Sequence, residues 1–209
     1  MWAFIGDGMT AATLPTVREQ IVDRLRTDIL CGALPAEEPV REQSLAERFG
    51  VGRGPIRDAL LQLSQEGGLT YRPNRGMRVS AAMAADDRAV FAKVRADLEA
   101  HAVRLLSDEG LADRIDGWRI GCRRLKEACG AGDLPGMVEA DMAFHRSLVE
   151  AADRPDLDAV WMSVTVRMRL LYGRHDDPCV VADEHAAIVE ELAAGRRGKA
   201  CKLLREHIG

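Results

Sequence analysis

The stretch from Glu42 to Ser80 restricts the fold more than any other part of the chain. Apolar residues three and four positions apart predict a short helix, which a glycine-containing turn at residues 50–52 ends. Pro55 stands where the first turn of a second helix tolerates a missing N–H group, and apolar residues recur at helical spacing after it. Two short strand patterns then flank a turn at residues 73–76, so the stretch predicts a helix-turn-helix followed by a wing with a basic tip.

This stretch resembles the winged helix of GntR-family transcription regulators. The family's pattern is matched at Val40, Glu42, Leu45, Ala46, Gly50, Val51, Arg53, Pro55, Ile56, Arg57, Ala59, Leu60, Leu63, Glu66, Gly67, Leu69, Arg75 and Gly76. Gly52 and Gly54 replace the usual serine and threonine beside the first arginine of the pattern, which removes two hydroxyl groups that could bind phosphate. An additional glycine, Gly68, stands between Gly67 and Leu69. The resemblance implies a domain that binds double-stranded DNA.

The resemblance also implies which side chains contact the DNA. Arg53 and Arg57 are expected to reach base edges, because a guanidinium group can bind O6 and N7 of guanine together. Arg75 at the tip of the wing is expected to enter the minor groove, where Gly76 allows close approach of the backbone. Members of the family are homodimers, so two such domains would bind the half-sites of a palindromic operator.

Two further side chains near the start of the helix-turn-helix, Arg41 and Gln43, are expected to contact phosphate groups or nearby bases. The alternative for each arginine is an ordinary solvated position. The charge distribution favours DNA binding: residues 41–80 carry seven arginines against four acidic residues, whereas residues 81–209 carry nineteen basic against twenty-three acidic residues. A basic module attached to an acidic body is typical of a DNA-binding domain joined to a second domain.

The rest of the sequence predicts helices only. Apolar residues make up 47% of the chain and aromatic residues only 4%, which favours aliphatic packing between helices. We expect a disordered extension at residues 1–14, a winged helix-turn-helix domain at 15–80, a linker at 81–85 and an all-α antiparallel bundle at 86–209. The predicted fold class is therefore mainly α with a small β-wing. The predicted bundle helices cover residues 86–107, 111–131, 133–152, 155–174, 182–194 and 198–208.

The caps and inner faces of the bundle helices follow from the same spacing. Asp86 is expected to cap the first helix and Asp133 the third. The inner stripe predicted for the first helix comprises Val90, Val94, Leu98, His101, Ala102 and Leu105. The stripe predicted for the second helix comprises Ile115, Trp118, Cys122, Leu125 and Cys129.

Four polar residues of the bundle could form a metal site. Asp141 and His145 are four positions apart on one helix, so their side chains point the same way from adjacent turns. His185 and His207 belong to two separate helices near the C-terminus, and a helical bundle can bring such residues together in its core. The alternative is a set of polar core residues that satisfy one another or hold one trapped water.

Residues 86–209 resemble the FCD ligand-binding domain of the FadR branch of GntR regulators. The matching residues are Arg95, Leu98, Glu99, Asp141, Phe144, His145, Glu184, His185, Ile188 and His207. The resemblance implies that the aspartate and the three histidines bind a divalent transition metal, with Zn or Ni as first choices, and that a small carboxylate metabolite completes the coordination. Arg95 stands where the family places an arginine that can meet an organic anion, and the alternative is a buried ion pair with Glu99.

These expectations describe a metabolite-responsive transcription repressor that is a cytoplasmic homodimer and not an enzyme. The five cysteines form no C-x-x-C motif, which predicts reduced, mostly buried thiols. No apolar run is long enough to span a bilayer, and the N-terminus lacks a basic leader. One alternative is a metal-dependent hydrolase, but an H-E-x-x-H motif is missing and Glu184 precedes His185 along a helix, which predicts that it points elsewhere. The other alternative is a dimeric DNA-binding protein without a ligand.

Overall fold

The computed structural model describes residues 15–168 and 179–209. The extension predicted for residues 1–14 and the last part of the helix predicted for residues 155–174 lie outside the described residues. Within them the chain is mainly helical with one two-stranded sheet, which confirms the predicted fold class. The elements are α1 (Val17–Leu30), α2 (Glu42–Phe49), α3 (Arg53–Gln65), β1 (Leu69–Arg72), β2 (Gly76–Val79), α4 (Ala85–Leu105), α5 (Asp108–Ala131), α6 (Leu134–Glu150), α7 (Pro155–Met168), α8 (Cys179–Ala193) and α9 (Arg197–Ile208).

Helices α1–α3 and the hairpin enclose the first core. Thr16 caps the start of α1. Its hydroxyl accepts the N–H of Glu19 at 3.2 Å, and the Glu19 carboxylate accepts the N–H of Thr16 at 2.7 Å. Gly50 ends α2 in the left-handed conformation, with a φ of 64°, and turns the chain toward α3. The buried apolar residues of this core are Ile21, Val22, Leu25, Ile29, Leu45, Ile56, Ala59, Leu60, Leu63, Leu69 and Val79.

The wing forms across the predicted turn. Strand β1 pairs antiparallel with β2, with Leu69 opposite Val79. Asn74 and Gly76 have positive φ angles of 62° and 72°, which residues with a short polar side chain or none tolerate best. The turn leaves Arg75 exposed at the tip of the wing.

Helices α4–α9 pack into the second core, where α5 contacts α6 and α8, and α4 contacts α7 and α9. Asp133 caps α6 as predicted, since its carboxylate accepts the Gly136 N–H at 3.1 Å. The predicted cap at Asp86 is wrong, because α4 begins at Ala85 and Asp86 lies inside its first turn. A carboxylate there still favours the helix, since it faces the positive end of the helix dipole.

The buried face of α4 differs from the prediction. Val90, Val94 and Leu105 are 61%, 41% and 42% exposed, and His101 is exposed as well. Ala102 is buried as predicted, and the other buried residues of α4 are Ala92, Arg95, Ala96, Glu99, Ala100 and Val103. Small side chains let neighbouring helices approach α4 closely, so this face, rather than the one with the larger apolar residues, is turned inward.

The stripe predicted for α5 is buried over its whole length. Burial raises the pKa of the Cys122 thiol in this stripe to about 11, so it stays protonated and packs as a small apolar side chain. None of the helices in the described ranges is long and apolar enough to cross a membrane.

Candidate metal centre and DNA-binding surface

Helix α6 places Asp141 and His145 one turn apart on its buried face, as their spacing predicts. Helix α8 contributes His185 and α9 contributes His207. One ligand atom from each of these four residues lies within 4.8 Å of the other three. Asp141, His145 and His185 are at most 4% exposed, so the cluster lies inside the bundle.

The distances show that the four side chains face a common point. His145 Nε2 lies 3.1 Å from His185 Nε2 and 3.2 Å from His207 Nε2. Asp141 Oδ1 lies 3.3 Å from His185 Nε2 and 3.8 Å from His145 Nε2. The second carboxylate oxygen of Asp141 is buried and has no hydrogen-bond partner among the described residues.

The other ring nitrogen of each histidine is held by an oxygen atom. The pairs are His145 Nδ1 with Glu99 Oε2 at 2.6 Å, His207 Nδ1 with Glu184 Oε2 at 2.7 Å, and His185 Nδ1 with the Val181 carbonyl oxygen at 2.6 Å. An ionised carboxylate or a carbonyl oxygen can only accept, so each Nδ1 donates, and the lone pair of a neutral ring is left on Nε2. Metal-binding histidines are oriented by contacts of this kind.

With all three rings neutral and each Nδ1 donating, none of the four facing atoms carries a proton, so three nitrogen lone pairs and a carboxylate cannot satisfy one another through hydrogen bonds. A divalent transition metal would satisfy all four, and imidazole nitrogens with one carboxylate oxygen are ligands that Zn and Ni accept. The alternative, a polar core, requires an additional proton on one of the rings or a trapped water that donates to the facing atoms. The donor set therefore fits a metal ion.

The pKa shifts of the cluster residues also favour metal binding. Burial lowers the pKa of His145, although Glu99 acts in the opposite direction, and burial together with the two other histidines lowers the pKa of His207 well below its usual value. Burial acts to raise the pKa of Asp141, but the facing histidines outweigh it and the pKa lies below its usual value. Neutral imidazoles and an ionised carboxylate are the forms that bind metal ions.

The two arginines predicted to read bases lie on the exposed face of α3. Arg53 Nη2 donates to Gln43 Oε1, and Arg57 Nε donates to Glu42 Oε2 at 2.8 Å. Side chains of α2 therefore hold both guanidinium groups near the start of α3.

The remaining DNA-contact candidates are also exposed. Arg41 directly precedes α2, and Arg75 and Gly76 lie at the wing tip. A Cβ atom added at Gly52 or Gly54 would meet no atom of the described residues within 4 Å. Packing therefore does not require glycine at either position where the family has a hydroxyl-bearing residue.

Both parts of the chain match known protein families. Residues 17–79 match the bacterial regulatory proteins of the gntR family, and residues 91–209 match the FCD domain. The chain belongs to the GntR family. This confirms the assignment that the motifs indicate, and the rest of the site can be described as that of a GntR-family regulator with an FCD domain.

Similar proteins align with most of this GntR-family regulator. The probable D-xylose utilization operon transcriptional repressor of Paenarthrobacter nicotinovorans is 31% identical over 199 residues, which covers 94% of this chain and 87% of the relative. The HTH-type transcriptional repressor GlaR of Escherichia coli (strain K12) is 28% identical over 206 residues, which covers 88% and 89%. The matched families and relatives are transcription regulators, which confirms the prediction that the chain is not an enzyme.

Solved structures support the fold of the GntR-family regulator. E. coli McbR/YncC superposes with a TM-score of 0.74 at 21% identity, covering 93% of this chain and 94% of that chain. A GntR regulator from Rhodococcus sp. RHA1 superposes with a TM-score of 0.66 at 22% identity, covering 91% and 93%. At these identities the likeness concerns the fold alone.

Arg95 of this GntR-family regulator lies beside the metal-site cluster and pairs with a residue of its own helix, α4. Its Nε atom donates to Glu99 Oε1 at 2.8 Å, and its guanidinium carbon lies 6.0 Å from the centre of the Trp161 ring. The side chain is almost fully buried. The ion pair that the sequence left open as an alternative is therefore present, and a role for Arg95 in effector binding stays a prediction.

Sequence reasoning missed three contacts that hold the site. It predicts Glu99 only as a partner of Arg95, whereas Glu99 also accepts from His145 and, at 2.7 Å, from the indole N–H of Trp161. The prediction that Glu184 points away is wrong, because its side chain reaches across to α9 and holds His207. The partners in these pairs belong to different helices, so no spacing motif describes them, and no pattern in the sequence marks Trp161.

Proposed function

We propose that this chain is a transcriptional repressor that binds a palindromic operator as a homodimer and responds to a small organic acid through a divalent metal ion. The observation that carries the proposal is the convergence of three histidine Nε2 atoms on Asp141, with every Nδ1 atom held by an oxygen. The two relatives named as transcriptional repressors support the sign of regulation. Ligand binding would relieve repression in the cytoplasm.

The DNA half of the proposal rests on α3 and the wing. Arg53 and Arg57 would bind guanine edges in the major groove, and Arg75 would enter the adjacent minor groove. The contacts of Arg57 with Glu42 and of Arg53 with Gln43 support this, because they order the long side chains before DNA arrives and so reduce the entropy lost on binding. Arg41 and Gln43 would add phosphate or base contacts.

The metal half of the proposal rests on the bundle. The proposed ligands are Asp141, His145, His185 and His207, and Zn or Ni is the proposed ion. A bound divalent ion supplies a Lewis-acidic position for a carboxylate oxygen of the metabolite. Glu99, Glu184 and the Val181 carbonyl fix the three rings in the orientation that exposes Nε2.

Arg95 is the residue proposed to recognise the charge of the organic acid. A planar guanidinium can form two parallel hydrogen bonds with a carboxylate. Arg95 lies inside the bundle and, after the facing histidines, is among the groups that lower the pKa of Asp141 against the effect of burial. Because Nε is bonded to Glu99, the guanidinium plane is already oriented before the anion arrives.

The metal proposal is tested by zinc titration of the wild type and of two histidine variants against a competing fluorescent chelator. His145→Ala removes a proposed ligand and is expected to abolish tight zinc binding, while the helical circular dichroism spectrum is retained. His101→Ala is the matched control, because His101 is exposed on α4 outside the cluster. Equal zinc affinity in His145→Ala and the wild type would contradict the proposed coordination.

The DNA proposal is tested with a duplex that the wild-type protein selects from random sequences. Arg57→Ala is expected to lose about 1–3 kcal/mol of operator affinity while zinc binding is unchanged. Arg124→Ala removes an exposed arginine of α5 and should bind the duplex like the wild type. If Arg57→Ala binds as tightly as the control, α3 is not the recognition helix.

A further inference from the structure

Glu99 joins the candidate metal centre to two other parts of the bundle. Its carboxylate is fully buried on α4, and Oε2 accepts from His145 Nδ1 on α6 at 2.6 Å. Oε1 accepts from Trp161 Nε1 on α7 at 2.7 Å and from Arg95 Nε at 2.8 Å. The position of one carboxylate is therefore shared by a proposed metal ligand and by α7.

The C-terminal end of helix α7 contacts the winged domain. Gly67 and Gly68, which follow α3, form the surface that we call the glycine seat. A Cβ atom added at Gly68 would lie 2.9 Å from Val166 Cγ1, and one added at Gly67 would overlap the Arg167 guanidinium. Gly67 also has a φ of +83°, which other residues rarely adopt. The glycine seat, which includes the additional glycine of the sequence pattern, therefore allows α7 to lie directly on the backbone after α3.

The glycine seat is firmly connected to the other helices of the winged domain. Glu66, which ends α3, accepts from Arg26 Nε at 3.0 Å and from Arg26 Nη2 at 2.8 Å, and Arg26 is only 5% exposed. Leu30 at the end of α1 packs in one apolar cluster with Trp161 and Val166. A displacement of α7 would therefore move α1 and α3 together.

We propose that Glu99 and Trp161 are positioning residues through which metal binding sets the placement of the winged domain; the inference rests on the proposed metal site. When His145 serves as a ligand through Nε2, its Nδ1–H holds Glu99 in one position. Glu99 in turn fixes the Trp161 indole, and α7 then seats on Gly67 and Gly68. When His145 has no metal, only the contact with Glu99 orients its ring, so Glu99 and, through it, α7 are held less tightly. Two placements of the winged domain with different operator affinities are what allosteric coupling requires.

The test measures how strongly zinc and operator binding are coupled. The dissociation constant for the selected duplex is determined by fluorescence anisotropy with saturating zinc and with chelator, and the ratio of the two constants is the coupling factor. We expect a factor of about five or more in the wild type, in the usual range for allosteric proteins. By linkage, the duplex must change the zinc affinity by the same factor, which provides an internal check.

Trp161→Phe keeps a ring in the core but removes the indole donor to Glu99. We expect its coupling factor to fall to roughly one, while its zinc affinity changes by less than the roughly tenfold that loss of a direct histidine partner costs. Trp118→Phe is the matched control, because the Trp118 indole donates to Ser147 Oγ at the same distance of 2.7 Å and is buried on α5. The control should keep the wild-type factor.

Gly68→Ala tests the other end of the route without touching the cluster. The added Cβ would push against Val166, so we expect a reduced coupling factor while zinc still binds, because all four proposed ligands stay in place. Gly117→Ala on α5 is its control, because a Cβ there meets nothing within 4 Å in the part of the chain that the structure describes. This pair also decides the question if Trp161→Phe fails to fold by circular dichroism.

The outcomes separate the inference from the proposal on which it rests. A wild-type coupling factor in Trp161→Phe or in Gly68→Ala overturns the route through α7. Equal losses in Trp161→Phe and Trp118→Phe overturn it as well, because they indicate a general packing effect. A wild type that binds zinc but shows no coupling overturns the inference and leaves the metal site standing, whereas a wild type that binds neither zinc nor nickel overturns the metal site itself.

Discussion

His207 and His101 show how much the surroundings of a histidine matter at the scale of single residues. His207 donates through Nδ1 to Glu184 and turns Nε2 toward His145, whereas His101 is exposed on the outer face of α4. Both stand on helices of the same bundle. What distinguishes a proposed ligand is the acceptor behind the ring, because the acceptor decides which nitrogen keeps its lone pair.

Glu184→Ala should therefore weaken metal binding although Glu184 is not a proposed ligand. Loss of the acceptor frees the His207 ring, and comparable changes behind metal-bound histidines typically cost about 10–100-fold in affinity. Zinc affinity would be measured by chelator competition. Asp183→Ala is the control, because the neighbouring Asp183 pairs with Lys126 at the surface. Equal affinities of the two variants would show that Glu184 does not orient His207.

At the scale of single elements, α3 begins without a side-chain cap. Gly52 has the extended backbone of an N-cap residue but no hydroxyl to accept an N–H of the first turn. Gly52→Ser adds one hydroxyl at a place where no described residue lies within 4 Å. Its oxygen can accept that N–H, and its O–H can donate to a DNA phosphate. We expect a rise of a few tenths of a kcal/mol in the free energy of unfolding, measured in urea.

Gly52→Ser should also tighten operator binding without changing its salt dependence. A hydrogen bond from the new hydroxyl to a phosphate is expected to add about 0.5–1.5 kcal/mol of affinity. The slope of log affinity against log salt concentration should stay the same, because it follows the phosphates that cationic side chains neutralise and a hydroxyl carries no charge. Gly52→Ala lacks the hydroxyl and serves as the control for the backbone change. Equal operator affinities of the two variants would rule out a phosphate hydrogen bond at this position.

Helix α4 makes a second prediction at this scale, because its buried face consists of small residues. Ala100 is fully buried where α9 approaches, and Cys201 Sγ on α9 lies 3.6 Å from its carbonyl oxygen. Ala100→Leu should lower the free energy of unfolding by about 1–3 kcal/mol through overpacking. Val94→Leu on the exposed face should change it by less than about 0.5 kcal/mol. Similar effects of both substitutions in urea unfolding would contradict this assignment of the faces.

The elements also show what sequence could and could not predict. The buried stripe of α5 follows from its large apolar residues at helical spacing. The same reasoning fails on α4, because alanines and an ion pair form its inner face. The proposed ligands could be named from a resemblance to a known domain, but Glu99 and Trp161 are 62 residues apart, and local patterns do not encode a contact of that kind.

At the scale of the whole molecule, metal binding should raise the free energy of unfolding. A ligand that binds only the folded state stabilises the protein by about 2.7 kcal/mol when its free concentration is about one hundred times its dissociation constant. Zinc at that concentration should raise the unfolding midpoint of the wild type in urea, and chelator should reverse the shift. His145→Ala should show neither effect. A zinc-induced shift of equal size in His145→Ala would point to ions bound elsewhere on the chain.

Native mass spectrometry of the untagged protein, purified without added metal or chelator, tests the central claim most directly, because it counts subunits and bound ions together. The account predicts a dimer with one metal ion per chain, and loss of a small organic acid from each chain on gentle activation. Bare chains that also fail to take up added zinc or nickel would contradict the proposal of a metal-dependent repressor. They would indicate that Asp141 and the three histidines form a polar core.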